Sequence, residues 1–261
     1  MSSSFYISLS HKGKSYTVNL NTPIDISISI SDGRKQKGAS AWYVCPPKFE
    51  PVKSEGFIGK VSEGGSVNFT DVFINPHGHG THTECLGHIT PEAHSVDEAI
   101  RTLIGNTTLI PCYLMSVIPE EKAGDRVVTK DSIPTDVSLP KAVAIRTLPN
   151  NASKQTMTWD NTNPPYLDPA FTRELVRQGV EHLLIDLPSV DREVDGGALA
   201  SHRAFFQLEG DSEPRGNATI TEFVYIPNSA TDGFYALNLQ VAPLDLDASP
   251  SRPVLFRLEE A

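Results

Sequence analysis

Apolar and polar residues alternate in several stretches of the chain, and this pattern is typical of β-strands that bury one face. From Ile24 onward, every second position of residues 23–30 is isoleucine, which predicts a strand. Residues 5–20 alternate around a His-Lys-Gly-Lys turn and predict a β-hairpin. Residues 66–75 alternate less regularly and predict a strand that leads into a histidine-rich segment.

Short apolar runs indicate that the chain contains buried strands as well. They predict six further strands at residues 107–118, 141–147, 182–187, 218–225, 234–241 and 253–258. Residues 142–145 are continuously apolar, which is typical of a strand that is covered on both faces.

Helix signals are fewer. The clearest helix runs from Asp168, which can cap its first turn, through Pro169 in that turn to Gly179 at its end. Ser95 can cap a short helix, and residues 198–207 are compatible with another. A helix followed directly by a buried strand, as at residues 182–187, indicates an α/β unit.

Two segments have the composition of loops. Residues 31–56 contain Trp42, which is either a plug over the core or one wall of a pocket, and composition alone favours the plug. Residues 150–165 are polar and contain several prolines, and their length suggests a lid or a dimer contact on the surface. No internal repeat or domain boundary is apparent, so residues 1–261 are predicted to form a single α/β domain.

Composition narrows the class of protein. With 39% hydrophobic and 21% charged residues, the 261-residue chain resembles an ordinary globular domain. A formal net charge of -10 disfavours nucleic acid as a partner. No apolar run reaches membrane-spanning length, and no secretory signal pattern is evident. Three cysteines without paired spacing favour a reducing compartment, so we expect a cytoplasmic protein.

Candidate chemistry is concentrated between His77 and His88, a segment that holds four of the eight histidines. Small residues separate them, and Glu84 follows the third. Imidazole nitrogens and a carboxylate are ligands that a divalent metal prefers. A histidine-rich surface loop is the alternative, but the density of histidines and the absence of Lys and Arg favour a metal site. Cys85 could be a ligand or nucleophile, although such a cysteine is more often a small buried filler.

Glu222 is a second candidate ligand, far from the first group in the sequence. It lies inside the predicted strand at residues 218–225. A carboxylate in an apolar strand is costly unless it is paired or binds a cation. The alternative is an outward-facing glutamate, which the neighbouring Thr219 and Thr221 would allow.

Several motifs together resemble the cyclase-like family of metal-dependent hydrolases, which includes bacterial kynurenine formamidases and isatin hydrolases. The family carries the run His-x-Gly-Thr-His-x-Asp-x-Pro-x-His, which aligns with Gly80-Thr-His-Thr-Glu-Cys-Leu-Gly-His88 from its glycine onward. Its segment Asp-x-Pro-Ser-Val-Asp matches Asp186-Leu-Pro-Ser-Val-Asp191. A later histidine and glutamate match His202 and Glu222, and the Asp-Leu-Ser strand of the family is similar to residues 24–27.

The resemblance implies a swivelling β/β/α fold with a mixed sheet and few helices, a homodimer, and one or two zinc or manganese ions. It implies metal ligands at His77, His82, Glu84, His202 and Glu222. His88 corresponds to the proton donor and acceptor of the family, and Trp42 to a tryptophan that stacks on the substrate.

The sequence departs from the family pattern at the first histidine, which falls on Gly78. Imidazoles stand on either side, at His77 and His79. Since alternate residues of an extended segment share a face, a shift by one residue turns the side chain away. A bulge at the neighbouring glycines would bring His77 back, so we favour His77 as the ligand and keep His79 as the alternative.

The expected function is metal-dependent hydrolysis of a small amide. The resemblance indicates an arylformamidase, which converts N-formylkynurenine to kynurenine and formate, a step of tryptophan catabolism. Two alternatives stay open. One is a hydrolase that opens a cyclic amide or lactone, as isatin hydrolases do. The other is a non-catalytic binding protein whose metal stabilises the fold.

Overall fold

The structure, a computed structural model, describes residues 5–11, 13–35, 38–104 and 108–260. Lys12, in the turn of the predicted hairpin, and Thr107, at the start of a predicted strand, lie outside the described residues. The helices are α1 (Val96–Ile104), α2 (Pro169–Arg177) and α3 (Ala200–Phe205). Within the described residues, no helix is long and apolar enough to cross a membrane.

Most of the architecture is β-structure. The described strands are, in chain order, β1 (Tyr6–His11), β2 (Lys14–Asn19), β3 (Ile24–Asp25), β4 (Lys48–Pro51), β5 (Lys53–Ser54), β6 (Phe57–Ile58), β7 (Thr70–Phe73), β8 (His82–Glu84), β9 (Ile110–Val117), β10 (Glu120–Lys122), β11 (Asp125–Val128), β12 (Ala142–Thr147), β13 (Tyr166–Leu167), β14 (His182–Ile185), β15 (Thr219–Glu222), β16 (Gly233–Val241) and β17 (Ala248–Glu260). The predicted hairpin is confirmed as β1 and β2.

Seven strands close on themselves in the order β17, β16, β9, β12, β14, β15 and β8, with β8 pairing back to β17. The four central strands β9, β12, β14 and β15 run parallel to one another, whereas β16 is antiparallel to β9. β8 is antiparallel to both β15 and β17. This mixed, barrel-like sheet with few helices confirms the α/β class predicted from the sequence.

The parallel strands are covered on both faces, as the continuous apolar run at residues 142–145 predicted. Successive residues point to opposite faces of a strand. Ala144 and Leu184 therefore pack in one core cluster with α1, whereas Val143 and Leu183 pack in another with α2 and α3. All four side chains are fully buried.

Helix α2 has the boundaries that its sequence predicted. The Asp168 carboxylate accepts a hydrogen bond from the backbone N–H of Ala170 at 2.7 Å. Gly179 ends the segment with a left-handed φ of 85°, a conformation that only glycine adopts without strain. Phe171 and Leu175 are fully buried, so this helix covers the sheet with its apolar face.

The predicted strand at residues 23–30 is shorter than expected, although its alternation is correct. Ile26 and Ile28 are buried, but the strand ladder includes residues 24–25 alone. Beyond it, the backbone N–H of Ile28 donates to the Thr81 hydroxyl at 2.7 Å, and the Thr81 N–H donates to the Ile28 carbonyl at 3.3 Å. This segment therefore supports the histidine-rich turn.

Residues 31–56, expected to be a loop, contain β4, which pairs with β7 to form a separate two-stranded ribbon. We call β4 and β7, with the adjoining Phe69, the apolar ribbon. Phe69, Val72 and Phe73 are each more than half exposed, at 58%, 55% and 55%. The alternating pattern thus predicted a strand correctly, but within the described part of the chain all four residues of β7 stay exposed.

The prediction of a surface loop at residues 150–165 is wrong in part, because Lys154 and Trp159 are buried. The Lys154 ammonium donates to the Asp186 carboxylate at 2.7 Å and to the Thr147 carbonyl and hydroxyl at 2.8 Å each. The Asp186 side chain is 0% exposed. The first aspartate of the Asp-x-Pro-Ser-Val-Asp motif thus anchors this segment.

The first prediction concerns this buried pair. Replacing Lys154 with methionine leaves the Asp186 charge buried without its partner, so we expect unfolding free energy to fall by about 3–5 kcal/mol. Chemical denaturation followed by circular dichroism measures this change. Lys141→Met, which removes the exposed ion pair with Glu181, is the matched control and should cost less than about 1 kcal/mol. Equal losses in the two variants would contradict the prediction.

Candidate metal centre

The candidate ligands meet beside β8, where this strand pairs with the carboxyl end of β15. Glu222 is the last residue of β15 and His82 the first of β8, and the two residues are direct partners in the antiparallel register. The His82 Nε2 and Glu222 Oε2 atoms are 3.5 Å apart. Glu222 also accepts a hydrogen bond from the backbone N–H of Val190 at 3.0 Å. It points inward, so the alternative of an outward-facing strand glutamate is wrong.

Strand β8 presents two ligands because alternate residues share a face. His82 and Glu84 are both 0% exposed and point to the cluster. Thr83, between them, lies on the opposite face with its hydroxyl 2.8 Å from that of Thr221. The period-two spacing of the histidine and the carboxylate is therefore what places both on one side.

Glu84 lies at the centre of the cluster. Its Oε1 atom is 2.8 Å from Nε2 of His202. Its Oε2 atom is 3.2 Å from Nδ1 of His77 and 3.8 Å from Nε2 of His88. Burial raises the pKa of Glu84, but the nearby imidazoles of His88, His202 and His77 outweigh it and hold that pKa well below its usual value. Glu84 is therefore a carboxylate at neutral pH.

His202, on α3, is fixed from behind by Asp191. The Asp191 carboxylate is 2.6 Å from Nδ1 of His202 and also accepts the backbone N–H groups of Ser201 and His202 at 2.7 and 3.1 Å. This contact turns the Nε2 atom of His202 toward Glu84. Burial lowers the pKa of His202, but Glu84 and Asp191 outweigh it and raise that pKa well above its usual value.

Of the two imidazoles that flank Gly78, His77 lies in the cluster. The His77 ring stacks on His88 with centroids 4.1 Å apart and an angle of 28° between the rings. A side chain at residue 78 would have its Cβ 2.6 Å from the Val44 side chain, so the position requires glycine. Gly80, with a φ of 64°, provides the turn that leads into β8.

His79 points elsewhere. Its Nδ1 atom accepts the backbone N–H of Asn75 at 3.0 Å, and its ring lines a different cavity with Val44 and Cys45. Burial lowers the pKa of His79, which keeps the ring neutral at pH 7. His79 therefore lies apart from the other candidate ligands.

Asp247 is a member of the cluster that the sequence analysis missed. Its Oδ2 atom is 2.8 Å from Nε2 of His77 and 3.3 Å from Nδ1 of His88. Hydrogen bonding from His88 and His77 lowers the pKa of Asp247 to about 2. Burial opposes protonation of His77, but Glu84 and Asp247 outweigh it and raise the pKa of His77 to about 9. Nothing in the acidic and apolar stretch around Asp247 signals this role.

The arrangement fits a divalent ion. Within the described residues, two groups of ligand atoms lie within 4.8 Å of one another: His77, Glu84 and His88, and His82, Glu84 and Glu222. Glu84 belongs to both groups. Its Oε2 atom and the Nε2 atom of His82 are buried without a well-directed hydrogen bond, which is the state expected of metal ligands. His202 is outside both groups, and its Nε2 atom is 2.8 Å from Oε1 of Glu84.

A cavity of about 290 Å³ lies beside the cluster and is lined by His77, His88, Trp42 and Leu199, among others. Trp42 is half-buried with a φ of 67°. The next residue, Tyr43, holds this strained backbone: its N–H donates to Asp160 and its hydroxyl to Glu193, both at 3.0 Å. Trp42 is therefore a fixed wall of the cavity as well as a contact to the core.

Cys85 is outside the ligand groups. Its thiol is buried and donates to the backbone carbonyl of His94 at 3.3 Å. Burial raises the pKa of the thiol to about 11, so the thiolate needed of a ligand or nucleophile is disfavoured. Cys85 acts as a small buried side chain.

The second prediction follows from the raised pKa of His77. Below about pH 9 the His77 ring carries a second proton, and a divalent ion that binds the ring must displace this proton. Because fewer rings carry that proton as pH rises, the apparent affinity of the protein for the ion should increase up to about pH 9. Without an ion, the stabilisation from this protonated ring is fully present below about pH 6.5 and is lost as pH rises through 9.

Titration calorimetry with Mn²⁺ at pH 7.5, in buffers of different ionisation enthalpy, counts the released protons. We expect at least one proton per chain. His77→Ala is the matched variant and should release fewer protons than the native chain. Binding without any proton release would contradict a role of His77 as a ligand.

Several solved structures share the fold. A "predicted metal-dependent hydrolase" from Bacillus stearothermophilus aligns with a TM-score of 0.61 over 90% of this chain and 98% of its own, at 18% identity. An isatin hydrolase bound to the product analogue thioisatinate aligns with a TM-score of 0.62 over 91% and 92%, at 13% identity. Isatin hydrolase A from Labrenzia aggregata, bound to benzyl benzoate, aligns with a TM-score of 0.59 over 91% and 94%, at 14% identity. These likenesses concern the fold, and they confirm the cyclase-like architecture expected from the sequence.

A search of curated proteins gives no match. The family model Cyclase, described as "Putative cyclase", matches residues 18–192. This range covers about two thirds of the chain and includes the histidine-rich segment, β8 and Asp191. The chain therefore belongs to the Cyclase family, as the motifs around His82 and Asp186 indicated.

Proposed function

We propose that this protein is a metal-dependent hydrolase of a small amide, most similar to an arylformamidase. The observation that carries the proposal is the Glu84 carboxylate, which is fully buried and shared by two groups of metal-ligand atoms. This cluster opens into a cavity with an aromatic wall. Buried ligands beside a small cavity are typical of a catalytic metal site.

The metal ligands that we propose are His77, His82, Glu84, His202 and Glu222. Of these, His202 lies outside the two groups of ligand atoms, with its Nε2 atom 2.8 Å from Oε1 of Glu84. A bound divalent ion would supply Lewis acidity toward a carbonyl group and would lower the pKa of its water toward about 7. Mixed nitrogen and oxygen ligands suit zinc, with manganese as the alternative. Because Glu84 is shared between the groups, the centre has room for one or two ions.

Hydrolysis of an amide requires a proton on the leaving nitrogen as water adds to the carbonyl carbon and the C–N bond breaks. We assign this proton transfer to His88, whose ring lines the cavity and whose side chain is 29% exposed. The ring is within reach of a bound substrate as well as of the cluster. An imidazole can both take and give a proton near neutral pH.

The cavity supports a substrate with a single aromatic ring. Its volume of about 290 Å³ is at the small end for ligand sites, and the indole of Trp42 offers a face on which such a ring can stack. N-formylkynurenine, an N-formyl arylamine, meets both conditions. Isatin, a cyclic amide, is the second candidate, since two proteins of similar fold are isatin hydrolases.

We further propose a cytoplasmic homodimer. Cys45, Cys85 and Cys112 are all free, which agrees with a reducing compartment. The apolar ribbon exposes Phe69, Val72 and Phe73, and several exposed apolar side chains on one ribbon are typical of an interaction surface. A second copy of the chain would cover them.

The third prediction tests the catalytic assignment by formate release from N-formylkynurenine with Zn²⁺ or Mn²⁺ added. His82→Ala should lose both bound ion and activity, because it removes a buried ligand. His88→Gln should keep the ion content measured by elemental analysis but lower kcat by about 10²–10⁴-fold.

His94→Ala, at a half-buried histidine outside both groups of ligand atoms, is the matched control and should keep full activity. Isatin is assayed in parallel, and turnover of isatin alone would favour the cyclic-amide alternative. Equal turnover by the native protein, His82→Ala and His88→Gln would dispose of the assignment. Loss of an ion from His88→Gln would make His88 a ligand.

The fourth prediction concerns assembly. Light scattering after gel filtration should give twice the 28.4 kDa chain mass for the native protein. Val72→Ser combined with Phe73→Ser should yield the monomer. Ile118→Ser, at a residue that is 71% exposed outside the apolar ribbon, should leave the dimer intact. A native protein that elutes as a monomer would contradict the homodimer.

A further inference from the structure

One carboxylate outside the two ligand groups contacts two of their imidazoles at once. We propose that Asp247 is a positioning residue of the metal centre. It holds the outer nitrogens of His77 and His88, and thereby directs the inner nitrogen of each ring toward Glu84.

The distances define this arrangement. The Asp247 Oδ2 atom is 2.8 Å from Nε2 of His77 and 3.3 Å from Nδ1 of His88. The opposite nitrogens, His77 Nδ1 and His88 Nε2, are 3.2 and 3.8 Å from Glu84 Oε2. The two rings are nearly parallel, with centroids 4.1 Å apart. Both rings therefore lie between the same two carboxylate oxygens.

Hydrogen bonding to Asp247 selects the tautomer of each ring. A nitrogen that donates to a carboxylate carries the hydrogen, so in the neutral ring the opposite nitrogen keeps its lone pair. For His77 this leaves Nδ1 free to bind a metal, and for His88 it leaves Nε2 free to exchange a proton. Carboxylates placed behind metal-binding imidazoles act in this way, and Asp191 stands in the same relation to His202.

The backbone fixes Asp247 beside the strand that carries Glu84. The Asp247 carbonyl accepts the backbone N–H of Cys85 at 2.9 Å. The next residue, Ala248, is the register partner of Glu84 in the pairing of β17 with β8. The positions of both carboxylates are thus set by one stretch of ladder, so the distance between them is not left to a flexible loop.

Asp247 is not needed for the hydrophobic core, because its side chain is 38% exposed. Removing the carboxylate should therefore leave the chain folded, and its effect can be measured on binding itself. The part of the proposal that concerns His77 predicts ion affinity and stands without any activity. The part that concerns His88 rests on the proposed function.

The fifth prediction uses titration calorimetry of the metal-free protein with Mn²⁺. Asp247→Ala should weaken binding of the ion by about 10–100-fold. Asp247→Asn should recover part of the loss, since its amide oxygen still accepts a hydrogen bond. Asp245→Ala, an exposed carboxylate two residues earlier, is the control for charge alone and should bind as the native chain does. Without ion, each of the four proteins should melt in a single cooperative transition, which shows that all four are folded.

Wild-type affinity in Asp247→Ala would overturn the proposal. So would an Asp247→Asn protein as weak as Asp247→Ala, because the effect would then follow from charge and not from the hydrogen bonds. At saturating Mn²⁺, kcat of Asp247→Ala should fall with little change in KM. If the native chain hydrolyses neither substrate, the proposed function fails, while the affinity measurements still decide the role of Asp247 toward His77.

Discussion

A fully buried carboxylate at Glu84 is the constraint on which the rest of the site depends. Removing such a charge from water costs several kcal/mol unless positive charge and hydrogen bonds compensate it. The chain supplies three imidazoles within 4 Å of its two oxygens, from His77, His88 and His202. Without an ion, protons on His77 and His202 supply this charge, in agreement with the raised pKa values of these two rings. A divalent ion can replace those protons, and it would then supply the positive charge that the buried Glu84 carboxylate needs.

The same carboxylate is part of the fold. β8 has three residues, and it closes the barrel by pairing with β15 on one side and β17 on the other. His82 and Glu84 point to the site from this strand, while Thr83 points away and contacts Thr221. The same pairing of β8 therefore closes the barrel and places both ligands. A one-residue change in register would reverse the face of all three side chains and abolish the site.

The sequence predicted those features of the fold and the site that depend on neighbouring residues or on a periodic pattern. The spacing of His82 and Glu84 identified a shared face, and the punctuation of α2 identified its ends. Asp247 could not be found in this way, because its partner His77 is 170 residues away and its neighbours are ordinary acidic and apolar residues. Lys154 lies in the segment at residues 150–165 that composition predicts to be on the surface, and its partner Asp186 is 32 residues away in the sequence. In the apolar ribbon the pattern revealed a strand, but periodicity carries no information on whether another element covers it.

The departure at Gly78 and the presence of Asp247 are connected. A histidine on a strand is oriented by the ladder, as His82 is, with 0% exposure. His77 lies in a turn outside the ladder, and its side chain is 22% exposed. Its direction must therefore come from side-chain contacts, and Asp247 supplies them from the edge of β17. On one side of the centre, backbone pairing orients the ligand His82. On the other side, the partly exposed carboxylate of Asp247 orients His77. The cavity with Trp42 is lined by His77, the candidate ligand that side-chain contacts orient.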